Sequence, residues 1–158
     1  MGKYWTDDEG LENIKKYCVE QDRCQSEVRS KLIDHQIYGE RTEGIIADLI
    51  SEGYLDEQRF AASFVRGKFR MNHWGKIKIK QGLKQKQISE YCIKKAFESE
   101  LKESDYLQAL KSILEKKLIT LKDTNKFQKK QKLIQHAVSK GFEIFYIEQV
   151  LEEMLIHI

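Results

Sequence analysis

The sequence predicts an all-α protein built as a tandem array of three three-helix repeats, elongated and curved. Three observations indicate this class. The 158 residues include no proline, apolar residues recur at spacings of three and four along nine segments, and one apolar pattern occurs three times in the same order. Hydrophobic residues make up 41% of the chain and charged residues 34%, which is typical of a soluble, helix-rich protein.

The first three helical segments carry recognisable start and stop signals. Thr6 is expected to cap the first segment, because Glu9 stands three residues later and completes a capping box. Ser26 is expected to cap the second segment. The third segment is expected to begin after Thr42 and to end at Gly53, because glycine is the usual residue just beyond a helix C-terminus.

The next two segments form the middle of the chain. Asp56 is expected to cap the fourth helix, which should end at the segment 71–73. The fifth helix should begin at Trp74-Gly75. Its first residues, KIKIK at 76–80, also alternate as a β-strand would. We favour a helix, because the apolar spacing continues through Leu83 and no turn-linked second strand lies nearby.

The last four segments follow the same rules. Ser89 should cap the sixth helix, and the seventh should run from Ser104 to about Leu118. Thr124 or Asn125 should cap the eighth helix, which is expected to end at Gly141. The ninth helix should begin after Phe142.

An internal repeat relates the third, sixth and ninth segments. The apolar pairs Ile45-Ile46, Cys92-Ile93 and Tyr146-Ile147 are separated by 47 and 54 residues, and two further helical segments precede each pair. Amphipathic helices often share such a spacing, but the order of the segments favours a tandem array. The predicted repeats are residues 1–55, residues 56–101, which are basic, and residues 102–158.

The middle of the chain lacks acidic residues. Residues 1–57 have a formal charge of −7, residues 58–89 have +9 with no Asp or Glu, and residues 90–158 have +1. Clustered cations with aromatic neighbours are typical of proteins that bind a phosphate backbone. The predicted nucleic-acid-binding residues are Arg59, Arg66, Lys68, Arg70, Trp74, Lys76, Lys78, Lys80, Lys84 and Lys86.

Trp74 and a second basic run have open interpretations. Trp74 could stack on a base or could anchor the junction between the two central helices, and we favour the anchor because Gly75 beside it suggests close packing. Lys126, Lys129 and Lys130 form a secondary basic patch, which could equally be a solvated helix face.

Motifs of catalysis are not found in the sequence. It has no nucleophile elbow and no glycine-rich phosphate loop, and Cys18, Cys24 and Cys92 lack the spacing of a disulfide framework or a zinc site. We therefore expect neither an enzyme nor a metal or cofactor. No apolar run is long enough to cross a membrane, and the first residues lack the apolar stretch of a signal peptide. We therefore expect a cytoplasmic protein without membrane contact. We also expect a monomer.

At the level of motifs, the chain resembles the RecX family of recombination regulators. The resemblance lies in residues 54–61 (YLDEQRFA), in residues 64–66 (FVR) and in residues 74–77 (WGKI). Arg23, Arg29 and Lys31 match the first-repeat pattern of the family, and residues 140–142 (KGF) match its usual ending. The chain departs from the family at Gln87, where glycine is common, and in the first repeat, where the comparable glycine is displaced to Gly39.

The resemblance implies a function that composition alone does not. Members of the RecX family bind the RecA recombinase filament in its helical groove, modulate and usually inhibit strand exchange and the coupled ATPase, and bind single- and double-stranded DNA. The implied context is homologous recombination, DNA repair and the SOS response. Two alternatives stay open, namely a stand-alone DNA-binding or architectural module that is independent of RecA, and a helical scaffold that binds only proteins.

Overall fold

The computed structural model describes residues 2–156, and this range folds into nine α-helices without a strand. The predicted all-α class is confirmed, and residues 76–80 are helical rather than extended. The helices are α1 (Asp7–Glu20), α2 (Gln25–Asp34), α3 (Glu40–Ser51), α4 (Glu57–Arg70), α5 (Lys76–Gln85), α6 (Glu90–Glu100), α7 (Glu103–Thr120), α8 (Lys126–Ser139) and α9 (Ile144–Ile156).

Several helices begin at the caps that the sequence predicts. Thr6 and Glu9 form the expected capping box at α1, with both hydrogen bonds 3.2 Å long. Asp56 accepts a hydrogen bond from the backbone N–H of Arg59 at α4. Ser89 caps α6 and Asn125 caps α8. These caps are local in sequence, which is why the pattern alone identifies them.

Two predicted caps are wrong. At α2 the N-cap is Cys24, whose backbone N–H donates to the Glu27 carboxylate at 3.1 Å. Ser26 instead donates its hydroxyl to the distant carbonyl of Lys86 at 2.8 Å. At α3 the helix begins two residues before Thr42, which is buried and donates to the carbonyl of Ile37 at 3.1 Å. Both hydroxyls therefore make tertiary or turn contacts rather than caps.

One turn geometry recurs after the second helix of each set of three. Gln36, Gln87 and Gly141 have φ values of 67°, 63° and 96°, respectively. In each turn the backbone N–H of the following residue donates to a carbonyl five residues back, from Ile37 to Leu32, from Ile88 to Leu83 and from Phe142 to Ala137. The left-handed position that glycine occupies at 141 is thus filled by glutamine in the first two turns, without a change in turn geometry.

Two separate hydrophobic clusters hold the helices together. One contains buried side chains of α1–α3 with Leu55, including Ile14, Leu32 and Leu49. The other runs through α4–α9 and includes Cys24 from the link before α2. Polar contacts also join α1–α3 to α4–α6, among them those of Asp22 with Arg59, Gln25 with Glu57 and Ser26 with Lys86. The repeat boundaries at 55/56 and 101/102 stay a prediction.

The accessible surface of the chain is larger than that of a compact monomer. It amounts to 9768 Å², whereas a compact monomer of 18.7 kDa is expected to expose about 8,300 Å². The excess is in the direction expected for an elongated array, in which each unit contacts only its neighbours.

Within residues 2–156, no helix has the length and hydrophobicity of a membrane span. The same range has no group of three or more His, Cys, Asp or Glu side chains that could hold a metal ion.

Candidate nucleic-acid interface

The start of α5 is fixed to the turn between α8 and α9 through backbone hydrogen bonds. The N–H of Gly75 donates to the carbonyl of Lys140 at 2.7 Å, and the N–H of Ile77 donates to the carbonyl of Gly141 at 3.0 Å. These bonds satisfy N–H groups that the first turn of a helix leaves without an intrahelical partner. A side chain at position 75 would meet backbone atoms, since a Cβ there would lie 2.5 Å from Gly141.

Tyr106 completes this junction from α7. Its ring is fully buried between helices, and its hydroxyl oxygen accepts the backbone N–H of Lys76 at 2.9 Å while its O–H donates to the Glu143 carboxylate. Burial, followed by the bond to Glu143, raises the pKa of Tyr106. Tyr106 therefore stays protonated and joins α5 to the start of α9.

Trp74 lies at this junction, and one lysine from each of two helices lies near its ring. The ammonium nitrogens of Lys68 on α4 and Lys78 on α5 lie 4.8 Å and 4.9 Å from its ring centroid. The side chain is half-buried and packs against the core of α4–α9. Neither lysine has a described carboxylate within ion-pair distance. The anchor function favoured for Trp74 agrees with this packing, and its partial exposure leaves a surface with two available positive charges.

Five of the predicted cations are paired with carboxylates from other segments. Four carboxylates take part, and they come from outside the acid-free stretch. The pairs are Arg59 with Asp22 at 2.9 Å, Arg66 with Glu100 at 2.8 Å, Lys80 and Lys84 with Glu90 at 3.3 Å and 2.7 Å, and Lys86 with Glu27 at 3.2 Å.

Pairing reduces the positive charge of the central surface but does not remove it. Nine cations less four partner carboxylates leave a formal surplus of five. The paired cations remain between 36% and 53% exposed, and such surface pairs contribute only about 0–1 kcal/mol. A phosphate could therefore compete for them. Arg66 is the best fixed, since it binds Glu100 through two nitrogens and thereby lowers the pKa of that carboxyl group.

Lys76 and Arg70 lie beside groups other than Trp74. The ammonium of Lys76 lies 4.8 Å from the ring centroid of Tyr106 and 5.8 Å from that of Tyr146. Arg70, at the end of α4, lines a groove formed with α7 and α8. The ten predicted residues thus divide among a cluster at Trp74, a set of ion pairs and two separate positions, rather than one uniform face.

The first-repeat motif residues make contacts within α1–α3. Arg23 donates to the carbonyl of Tyr17 at 3.0 Å, and its guanidinium carbon lies 3.7 Å from the ring centroid of that tyrosine. Arg29 binds Glu43 through two nitrogens at 2.9 Å and 3.0 Å. The Lys31 ammonium lies 5.5 Å from the same tyrosine ring. These contacts give the motif a structural use in the first three helices.

The secondary patch lies at the start of α8. Lys126 is exposed, whereas Lys129 and Lys130 are half-buried. In the described part of the chain none of the three has an ion pair, while the neighbouring Lys132 is bound to Asp123 at 2.8 Å. The patch is therefore a smaller cationic surface, separate from the one at Trp74.

Sequence reasoning did not anticipate one group of basic side chains. Lys116 and Lys117 on α7 and Lys140 after α8 line the same groove as Arg70, together with His73 and His136. In the sequence, only the adjacent lysines at 116 and 117 are recognisable as a basic cluster. Its proximity to Arg70 depends on how α7 and α8 pack against the end of α4.

Within residues 2–156, the nine helices and the three equivalent turns define an all-α helical-repeat protein. Comparisons with known proteins specify the family. The model of the RecX second three-helix domain matches residues 56–96, and that of the RecX third three-helix domain matches residues 103–151. These 41 and 49 residues amount to 90 of 158. The chain belongs to the RecX family.

Curated relatives are similar over most of the chain. Regulatory protein RecX of Clostridium acetobutylicum is 29% identical over 135 residues, which are 84% of this chain and 62% of the relative. The Prosthecochloris aestuarii protein of the same name is 29% identical and covers 85% of both chains. The Streptococcus agalactiae protein is 31% identical over 162 residues, and the match spans 92% of this chain and 60% of that relative.

Solved structures share the fold. The crystal structure of RecX from Lactobacillus salivarius superposes with a TM-score of 0.87 at 23% identity, covering 95% of this chain and 97% of that one. A second crystal structure of a regulatory protein RecX gives a TM-score of 0.84 at 24% identity, covering 92% and 73%. These superpositions confirm the helical architecture.

Proposed function

We propose that this protein regulates homologous recombination and DNA repair by binding the RecA filament and its DNA, and that it inhibits strand exchange and the coupled ATP hydrolysis. Membership in the RecX family supports the regulatory role. The RecA partner comes from the resemblance described above. The role requires no catalysis, metal or cofactor, and we propose that a cytoplasmic monomer performs it.

The structural observation that carries the DNA part of the proposal is the cluster at Trp74. Lys68 and Lys78 lie against one partly exposed indole ring and are free of ion pairs with described residues. Two ammonium groups beside an aromatic ring can bind a phosphate backbone, while the ring packs against a base. The paired cations Arg59 and Lys84 would add contacts if phosphate replaced their carboxylate partners.

The proposed mechanism is steric and electrostatic. An elongated array of three-helix units that spans adjacent RecA protomers would hinder the rearrangements that strand exchange requires. The cations of α4 and α5 would face the DNA or an acidic part of the filament groove. Since each unit packs on its neighbour, the array can present several weak contacts at once, which increases the overall affinity.

The first experiment is RecA-catalysed strand exchange, with ATP hydrolysis followed in parallel, in the presence and absence of the protein. We expect both rates to fall at stoichiometric protein. Unchanged rates, for a protein that is folded by circular dichroism, would contradict the proposal.

The second experiment tests the surface at Trp74 with a charge reversal, Lys68→Glu with Lys78→Glu. Arg66 and Lys80 are less suitable, because reversing either would place a carboxylate beside Glu100 or Glu90. We expect weaker binding of single-stranded DNA. The magnitude of the slope of log K against log salt should fall by about 1.4, since each lost phosphate contact on a single strand contributes about 0.7.

The matched control reverses Lys94 and Lys95 on α6, which are exposed, adjacent and outside the surface at Trp74. It changes the net charge equally and should leave the slope nearly unchanged. Equal losses in both double variants would mean that overall charge, not this surface, determines DNA binding.

The stand-alone DNA-binding module remains the second candidate, because the cluster at Trp74 by itself would suffice for it. It predicts that DNA binding persists while the strand-exchange and ATPase rates are unaffected. A scaffold that binds only proteins predicts that filament binding survives the reversal of Lys68 and Lys78.

A further inference from the structure

A groove with an apolar floor lies between the end of α4, α7 and α8. Its volume is about 640 Å³, within the range of roughly 300–1,000 Å³ that is usual for ligand pockets. Phe69, Ala109 and Ile113 supply apolar lining, and Phe69 and Ile113 also pack against the core. An apolar side chain could be buried here without displacing any of the helices.

The groove is surrounded by positive charge. Its lining includes Arg70, His73, Lys116, Lys117, His136 and Lys140, and no Asp or Glu is found among the described lining residues. The arginine and the three lysines of this lining form no ion pair within the described part of the chain. Burial, and then the charges of Lys117 and Lys140, lower the pKa of His136. The potential in the groove therefore favours a negatively charged occupant.

We propose that this groove docks a short acidic peptide segment of a partner protein, with one apolar side chain inserted on the floor and carboxylates against the lysines of the rim. The site is distinct from the surface at Trp74 and does not depend on the proposed filament function. Charge complementarity and the apolar floor together specify this occupant. An acidic segment alone would need no floor, and an apolar segment alone would need no cationic rim.

The lining favours a peptide over a nucleic acid. Nucleobases bind by stacking on exposed aromatic faces, whereas the one Phe ring of the lining is half-buried and packs on Tyr106 with the ring centroids 5.9 Å apart. An aliphatic side chain needs only the apolar contacts that Ala109 and Ile113 provide. The cationic rim would accept either anion, so binding of DNA at this position is the competing outcome of the test.

The test uses the full chain and a fluorescein-labelled eight-residue peptide of alternating Glu and Leu as the probe, measured by fluorescence anisotropy. Labelled oligo-dT serves as the second probe. We expect the peptide to bind and the double reversal Lys116→Glu with Lys117→Glu to weaken it by about tenfold or more, since charged rim contacts are lost. The control reversal of Lys94 and Lys95 should change the affinity by less than about twofold.

Two further measurements separate the groove from general charge. Ser112→Trp fills the groove without changing the net charge and should abolish peptide binding while preserving the helical circular dichroism spectrum. In NMR titrations of the wild-type protein, saturating peptide should raise the pKa of His136, because a nearby carboxylate stabilises the imidazolium.

The results that would overturn the proposal are specific. One is peptide binding that survives Ser112→Trp. Another is an equal loss in the Lys94 and Lys95 control. A third is binding of oligo-dT that competes with the peptide and disappears in the Lys116 and Lys117 reversal. The groove would then be a nucleic-acid site.

Discussion

Replacing Gly75 by alanine probes the contact that holds α5 against the α8–α9 turn. The φ of Gly75 is −83°, which any residue adopts, so the backbone itself tolerates the change. The added Cβ would however lie 2.5 Å from the carbonyl group of Gly141 and 2.6 Å from the nitrogen of Phe142. These are backbone atoms, so relief requires that the start of α5 move away from the turn.

The cost follows from the hydrogen bonds at this junction. A shift of α5 would lengthen the bonds from Gly75 to Lys140, from Ile77 to Gly141 and from Lys76 to Tyr106, which measure 2.7 Å, 3.0 Å and 2.9 Å. Each such bond contributes about 0.5–1.5 kcal/mol, and overpacking typically costs about 1–3 kcal/mol. We therefore expect Gly75→Ala to lower the free energy of unfolding by about 2–4 kcal/mol.

The assay is urea denaturation followed by circular dichroism, with Gly67→Ala as the matched control. Gly67 lies inside α4, and a Cβ there would meet no described atom from outside its own helix backbone within 4 Å. This control should be more stable than the wild type by about 0.5–1 kcal/mol, because alanine has the higher helix propensity. The free energy of unfolding should therefore decrease in Gly75→Ala and increase in Gly67→Ala. A change of less than about 0.5 kcal/mol in Gly75→Ala, with an unchanged denaturant slope, would refute the packing argument.

Two other substitutions test the turn at Gln87 and the half-buried carboxylate of Glu57. Gln87→Gly should stabilise the protein by about 1 kcal/mol, because φ at this position is 63° and glycine adopts the left-handed region without strain. The control Gln81→Gly, inside α5, should destabilise the protein by a similar amount. Urea midpoints that move in the same direction in both variants would contradict this reasoning. Glu57 is half-buried, with one oxygen accepting the N–H of Gln25 at 2.8 Å and the other without a hydrogen bond to any described residue. Burial raises the pKa of Glu57 above 4.5, so the folded protein binds this proton more tightly than the unfolded chain does. The resulting contribution to the free energy of unfolding is present at low pH and is lost as the pH rises through the raised pKa. The stability of Glu57→Gln relative to the wild type should therefore increase as the pH rises above about 4.5. A difference that is constant with pH would exclude this assignment.

Local features of this chain could be predicted from the sequence because their causes lie within a few residues. Apolar spacing predicts each helix, and Thr6, Asp56 and Ser89 cap the helices next to them, because a cap bonds the backbone only three residues away. The failures at Ser26 and Thr42 have a common reason. Their hydroxyls found partners outside the helix, and one of these, the carbonyl of Lys86, is 60 residues away.

The sequence by itself determined the helices, their order and the concentration of positive charge in residues 58–89, since each is a property of neighbouring residues. Tertiary structure decided which of these charges are available. Arg66 is paired with Glu100 and Lys86 with Glu27, whereas Lys68 and Lys78 lie near the Trp74 ring and have no carboxylate partner among residues 2–156. Coulombic interactions act over a few ångströms in space whatever the separation along the chain, so only the packing of distant helices could settle those pairs.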